Sequence, residues 1–239
     1  MTLPRLGNPY LSQAAYSILS DLFAASTTAG TASAVEQIPA VIHAVLESPP
    51  PKSDNAISPS WIRVLGDAMF AYHVADTSAC TTEFSTVWKT VWSYFETNHP
   101  PTRKAVAESL ALLTRCITPA MLQQASLTGG EAGKSSLQGI ISQITKALDS
   151  LAFAPAMQEL LSVISALVSN LNIRIDSGKP VTAAEALLMP LVSKVADLRI
   201  QKNFEHKEAA DAVISTAMRV VGPAVLLAAI PLNLEPPDR

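Results

Sequence analysis

An all-α fold of stacked helix pairs is what this sequence predicts, and three observations predict it. Apolar residues recur at three- and four-residue spacing along most of the chain, the signature of helices with one buried face. Proline-bearing breaks return after each second helical stretch, as at "SPPPKSDNAIS" and "NHPP". The stretches restart near residues 9, 59, 102, 154 and 205. Those starts lie roughly 43 to 52 apart, close to the period of about 40 to 47 residues of HEAT or armadillo repeats. A single helix pair cannot bury its apolar face alone, so an α-solenoid of antiparallel pairs is expected, each covering the next. A globular bundle would show short loops and no repeat.

The first pair opens at Asn8 and Pro9, a capping residue followed by a first-turn proline, and carries Leu11, Ala14, Ala15, Ile18, Leu19 and Leu22 as its stripe. Its partner, about 35 to 47, aligns Ile38, Val41, Ile42, Val45 and Leu46. The second pair restarts at Ser58-Pro59 with Trp61, Val64, Leu65, Ala68, Met69 and Tyr72; its partner aligns Phe84, Val87, Trp88, Val91 and Phe95. Thr102 opens a helix with Val106, Leu110 and Leu113, and Thr118-Pro119 starts a shorter one. Later stripes are Leu137, Ile140, Ile141, Ile144 and Leu148, then Met157, Leu160, Leu161, Ile164, Leu167 and Leu171. Thr182 and Glu185 form a capping box before a helix containing Pro190, where a kink is expected. The last long helix, about 205 to 221, ends at Gly222-Pro223. No convincing period-two strand appears; "LNIRI" from Leu171 reads as a helix end. The expected units are 9–47, 59–97, 102–150, 154–200 and 205–230, in a single helical-repeat segment over 1–239.

The chain of 239 residues is 49% hydrophobic and 15% charged, so it can build a core. A net charge of −3 and a pI near 5.8 argue against a general nucleic-acid binder. The N-terminus has no signal-like apolar region, and the run from Val220 is short and broken by proline, so a soluble protein with no membrane partner is expected. Cys80 and Cys116 have no nearby cysteine, and His73 is seven residues from Cys80 across a helix end, which is poor spacing for metal ligands. No metal or other cofactor is expected.

The stretch "LTGGEAGKSS", Leu127 to Ser136, ends like a phosphate loop at Gly133-Lys134-Ser135. The glycine required at 128 is Thr128, and a helix rather than a strand precedes it. An inter-helix loop whose Ser135 or Ser136 caps the next helix is the better reading. The sequence holds no nucleophile elbow and no zincin motif, so no enzyme is expected.

Two basic groups are candidate contacts for phosphate or an acidic partner: Arg103 with Lys104 at a helix start, and Lys194, Arg199 and Lys202 toward a helix end. The second group also has a plain structural reading, since cations complement the dipole at a helix C-terminus. Trp92 lies off the main aromatic stripe; exposed, it would be an interface anchor.

The strings "NPYLSQAAYSILSDLFA", "VWKTVWSYFE" and above all "VVGPAVLLAAIPLNLEPP" resemble the helical-repeat region of the ribosomal-RNA-processing protein 12 family. The resemblance runs along essentially the whole chain and is to an internal segment of much longer proteins. It implies a HEAT-repeat factor of the nucleolus and nucleus, shuttling toward the cytoplasm, that joins the small-subunit pre-ribosome and its assembly factors. It further implies support of pre-rRNA processing and pre-ribosome export, and association with the Ran GTPase and nuclear-pore components. No catalytic residue is carried over. The alternative expectation is a karyopherin-like transport or Ran-binding repeat protein outside ribosome assembly.

Overall fold

The computed structural model describes residues 9–29, 37–127, 136–176 and 180–231. Eleven helices occur among them: α1 (Pro9–Ala29), α2 (Ile38–Leu46), α3 (Ser58–Ala75), α4 (Thr77–Trp92), α5 (Pro100–Thr114), α6 (Pro119–Leu127), α7 (Ser136–Asp149), α8 (Met157–Asn170), α9 (Ala183–Ile200), α10 (Lys207–Val221) and α11 (Pro223–Ala229). A 3-10 turn over Leu151–Ala156 leads into α8, and a two-stranded hairpin, β1 (Arg174–Asp176) with β2 (Pro180–Thr182), precedes α9. The all-α helical-repeat fold read from the periodicity is the fold observed. Asn8, residues 128–135 with Lys134, and the end of the closing string fall outside the described residues.

The chain divides into two compact units: residues 1–118 with 151–159, and residues 119–150 with 160–239. The division passes through α8 between Glu159 and Leu160.

In the first unit α3 is the centre. It packs against α1 on one side, α5 on the other, and against both α2 and α4, while α4 also meets α5. The leading helices of successive pairs, α1, α3 and α5, thus lie side by side, as stacking of repeat units requires. Gly66 permits the closest approach: a Cβ there would stand 2.9 Å from both Cβ and Oγ of Ser109 on α5. Ser109 satisfies its own buried hydroxyl by donating to the Ile62 carbonyl at 3.0 Å. Trp61, fully buried, donates its indole N–H to the Val45 carbonyl at 3.0 Å and so pins α2 to α3. Tyr94 donates its hydroxyl to the Pro50 carbonyl at 2.6 Å, which anchors the proline-rich connection, and burial pushes its pKa up to about 12.

The local geometry of two helix starts was not read from the sequence. Ser58 is the first helical residue of α3 and is buried, whereas the Asp54 carboxylate accepts from the N–H groups of Ala56 and Ile57 at 3.1 Å. The α5 helix begins at Pro100 after His99, and Thr102 is buried with its hydroxyl 2.8 Å from His99 Nδ1. Ahead of α4, Asp76 is the cap, accepting from Ser78 N–H and Ala79 N–H at 3.0 and 2.9 Å.

The α1 helix is rotated from its expected setting. Leu11, Ile18 and Leu22, placed on the buried stripe by their spacing, are 53%, 59% and 60% exposed, and Phe23 is the buried residue. Ser20 hydrogen-bonds the Asp67 carboxylate of α3, and it lies on the inward side of α1 with Tyr16 and Phe23. Burial raises the Tyr16 pKa.

In the second unit α9 is the centre, packing against α6, α7, α10, α11 and β2, with α6 against α7 and α10 against α11. Thr182 caps α9 as its sequence position suggests, its hydroxyl accepting from Glu185 N–H at 3.1 Å. The helix then runs through Pro190 to Ile200. Gly222 ends α10 with φ of 87°, a conformation that favours glycine, and Pro223 starts α11. The "LNIRI" segment is not a helix end. Arg174–Asp176 pairs antiparallel with Pro180–Thr182, Ile175 opposite Val181, and the ladder extends through Ala183 N–H to the Ile173 carbonyl at 2.8 Å. The β-branched Ile173 and Ile175 suit that extended backbone, and Ile175 is buried.

The stretch Leu151–Asn170, not the run from Val220, is the one long and apolar enough among the described residues to cross a membrane by length and composition. Half of it is buried within the protein. Leu160, Leu161, Val163, Ile164, Leu167 and Val168 are core residues, which accounts for its apolar character.

Candidate functional site

The first basic group sits on the opening turns of α5. Arg103 is 11% exposed in its side chain; it donates through Nη1 to the Thr97 carbonyl at 3.1 Å and through Nε to Glu159 at 3.4 Å. Its charge is spent tying the connection before α5 to the start of α8. Lys104, one residue on and 71% exposed, points to solvent 3.9 Å from Glu108, which also takes Arg63 Nε at 3.3 Å. Exposed pairs of this kind are screened and weak, so the Lys104 ammonium is accessible to a partner.

The second group divides in the same way. Lys194 pairs with Asp149, and Arg199 makes a forked contact to Asp211 at 2.5 and 3.3 Å that raises its already high pKa. Lys202 is exposed and makes no ion pair with the described residues. Three of the five candidate cations therefore bind carboxylates of their own unit, and Lys104 and Lys202 remain facing solvent.

Trp92 is not an exposed anchor. It is 6% exposed, stacked near Trp88 with centroids 6.3 Å apart and in contact with Phe95 at 5.3 Å and Phe153 at 5.7 Å. Phe153 fills the side of α4 that the local stripe leaves open. Exposed apolar residues occur elsewhere: Leu11, Ile18 and Leu22 share a face of α1, and Ile200 at the end of α9 is 74% exposed.

One cluster was not foreseen. His73, in the last turn of α3, Cys80, in the first turn of α4, and Cys116, just past α5, bring their ligand atoms within 4.8 Å of one another. Both thiols are buried and free. Both sulfurs donate to the Met69 carbonyl at 3.8 Å, and the neighbouring Cys80 thiol together with burial pushes the Cys116 pKa up. The His73 pKa is lowered, first by burial and then by the Arg115 guanidinium. Spacing along the chain hid the group, because helix packing rather than helix periodicity assembles it.

The family model described as ribosomal RNA-processing protein 12, HEAT repeats, matches residues 96–239, which include all of the second unit. The chain belongs to the ribosomal RNA-processing protein 12 family. The helical-repeat architecture that the family model describes is the one the helix pairs display. A relative, the putative ribosomal RNA-processing protein 12 of Schizosaccharomyces pombe, is 23% identical over 192 residues, covering 80% of this chain. The chain spans 15% of that relative's length.

Proposed function

We propose that this segment is a non-catalytic scaffold in small-subunit ribosome biogenesis, supporting pre-rRNA processing and pre-ribosome export in the nucleolus and nucleus through contacts with assembly factors. The observation that carries the reading is the HEAT-repeat family match over residues 96–239. Stacked helix pairs work by presenting surface, and their faces suit extended partners. The charge arrangement favours protein over RNA as the main partner: Arg103, Lys194 and Arg199 bind internal carboxylates, and the chain carries a net charge of −3. Of the five candidates, Lys104 and Lys202 are left for local contact with pre-rRNA, and Ran or nuclear-pore components join through the same protein-binding faces. The exposed stripe of Leu11, Ile18 and Leu22 supplies apolar surface for protein contact.

Affinity purification of the full-length protein tests this. Recovery of small-subunit precursors containing pre-rRNA and assembly factors is the expected result. Recovery of transport cargo or Ran with no pre-rRNA would replace the reading by a transport receptor outside ribosome assembly.

A further inference from the structure

We propose that His73, Cys80 and Cys116 bind a single thiophilic metal ion of the zinc class, which ties together the ends of α3, α4 and α5. The donor set decides the chemical class. Two sulfurs and one imidazole nitrogen are borderline-soft ligands that suit Zn2+ and exclude hard cations such as Mg2+ or Ca2+, which take oxygen.

The geometry is close to what such an ion requires. Zinc–sulfur bonds of about 2.3 Å and zinc–nitrogen bonds of about 2.0 Å, at tetrahedral angles, put ligand atoms roughly 3.5 to 3.8 Å apart. The three atoms already lie within 4.8 Å of one another, so each has about an ångström or less to travel. The elements that carry them are fixed from outside the cluster. Asp76 caps α4 one turn before Cys80, and the Cys116 N–H bonds the Leu113 carbonyl at 2.9 Å. The α3, α4 and α5 helices pack on one another within the first unit.

A second observation points to a ligand independently. His73 Nδ1 is buried and has no hydrogen-bond partner, the one such side-chain atom among the described residues. A buried ring nitrogen left unpaired is costly, and an ion at the site supplies the missing partner. The thiols donate only weak sulfur hydrogen bonds, to the Met69 and Leu112 carbonyls at 3.7 to 3.8 Å, which an ion replaces at small cost.

Binding displaces a proton from each thiol, and the two resulting thiolates balance the dication, so the occupied site is neutral and suits a buried position. Cys80 and Cys116 are at most 1% exposed, while His73 is only half-buried and marks the side from which the ion enters. With three protein ligands, water takes the fourth position.

The test uses the full-length protein, reduced and stripped of metal, titrated with Co2+ and then with Zn2+, beside the variants His73→Gln and Cys116→Ala. The half-exposed His73 can be replaced without emptying the core, which keeps the comparison informative should Cys116→Ala fail to fold. The expected result is a thiolate-to-Co2+ charge-transfer band larger in the unaltered protein than in His73→Gln by one metal equivalent, bleached by Zn2+, with a melting temperature raised by Zn2+ in the unaltered protein alone. Absence of the band, or equal bands and equal melting shifts in both proteins, would overturn the site. So would a Cys80–Cys116 disulfide found by peptide mapping of the protein isolated without reductant.

Discussion

The two units solve the same packing problem with different side chains. All three tryptophans, all four tyrosines and five of the six phenylalanines belong to the first unit, and the second has Phe204 alone. The first core interlocks through ring contacts, Trp61 with Tyr94 and the chain Phe84, Trp88, Trp92, Phe95 and Phe153. The second is aliphatic, built from residues such as Leu160, Ile164, Leu188, Val195 and Val213. Large rings fix mutual geometry through edge and offset-stacked contacts, whereas small branched chains fill space and readjust. The same fold is thus held by shape specificity at one end of the sequence and by periodic apolar burial at the other.

Four substitutions sharpen that contrast. The largest effect is expected for Trp88→Ala, which empties the middle of the ring chain and should cost about 3 to 5 kcal/mol in denaturant unfolding. A loss under about 1 kcal/mol would show that the aromatic core relaxes as freely as an aliphatic one. Gly66→Ala comes next. Its new methyl would press on Ser109, and forcing α3 from α5 should cost about 1 to 3 kcal/mol by the same measurement.

Thr182→Ala, in the second unit, removes a cap and nothing from the core, so about 1 kcal/mol is expected. Asp67→Asn is the smallest. Burial raises the Asp67 pKa, opposed by the Ser20 hydrogen bond and by Arg63, with Asp21 and Glu108 adding repulsion. A carboxyl whose folded pKa is raised binds its proton more tightly in the native state, so its cost is fully present above the folded pKa and disappears as pH falls toward the unfolded value. The asparagine variant should therefore be slightly more stable than the parent at neutral pH, and the difference should shrink in acid, as followed by thermal melts across pH.

How legible these features were in the sequence depends on whether a local rule governs them. The stripe Phe84, Val87, Trp88, Val91 and Phe95 runs at helical spacing along α4 and into the turn after it, and all five are buried. Trp92 broke that rule because Phe153, far along the chain, covers it. The α1 stripe failed for a related reason, since α1 meets α3 through a face that carries Ser20, bonded to Asp67 47 residues away, and Phe23. Thr182 was readable because a cap acts over three residues. Glu159, Asp149 and Asp211, which neutralise Arg103, Lys194 and Arg199, stand 56, 45 and 12 residues from their partners and leave no local signal. The His73, Cys80 and Cys116 cluster is the extreme case, three ordinary residues made into neighbours by the stacking of three helices.

The central claim is that this repeat fold works as a protein-docking surface, with three of its five candidate basic side chains, Arg103, Lys194 and Arg199, held by carboxylates within the fold. Cross-linking of native small-subunit precursor particles, with protein cross-links and ultraviolet RNA cross-links mapped to single residues, tests it most directly. The account expects Lys104 and Lys202 to link to neighbouring assembly-factor proteins, with few RNA links across the segment. RNA links at Arg103, Lys194 and Arg199, with no protein neighbours at Lys104 or Lys202, would contradict it.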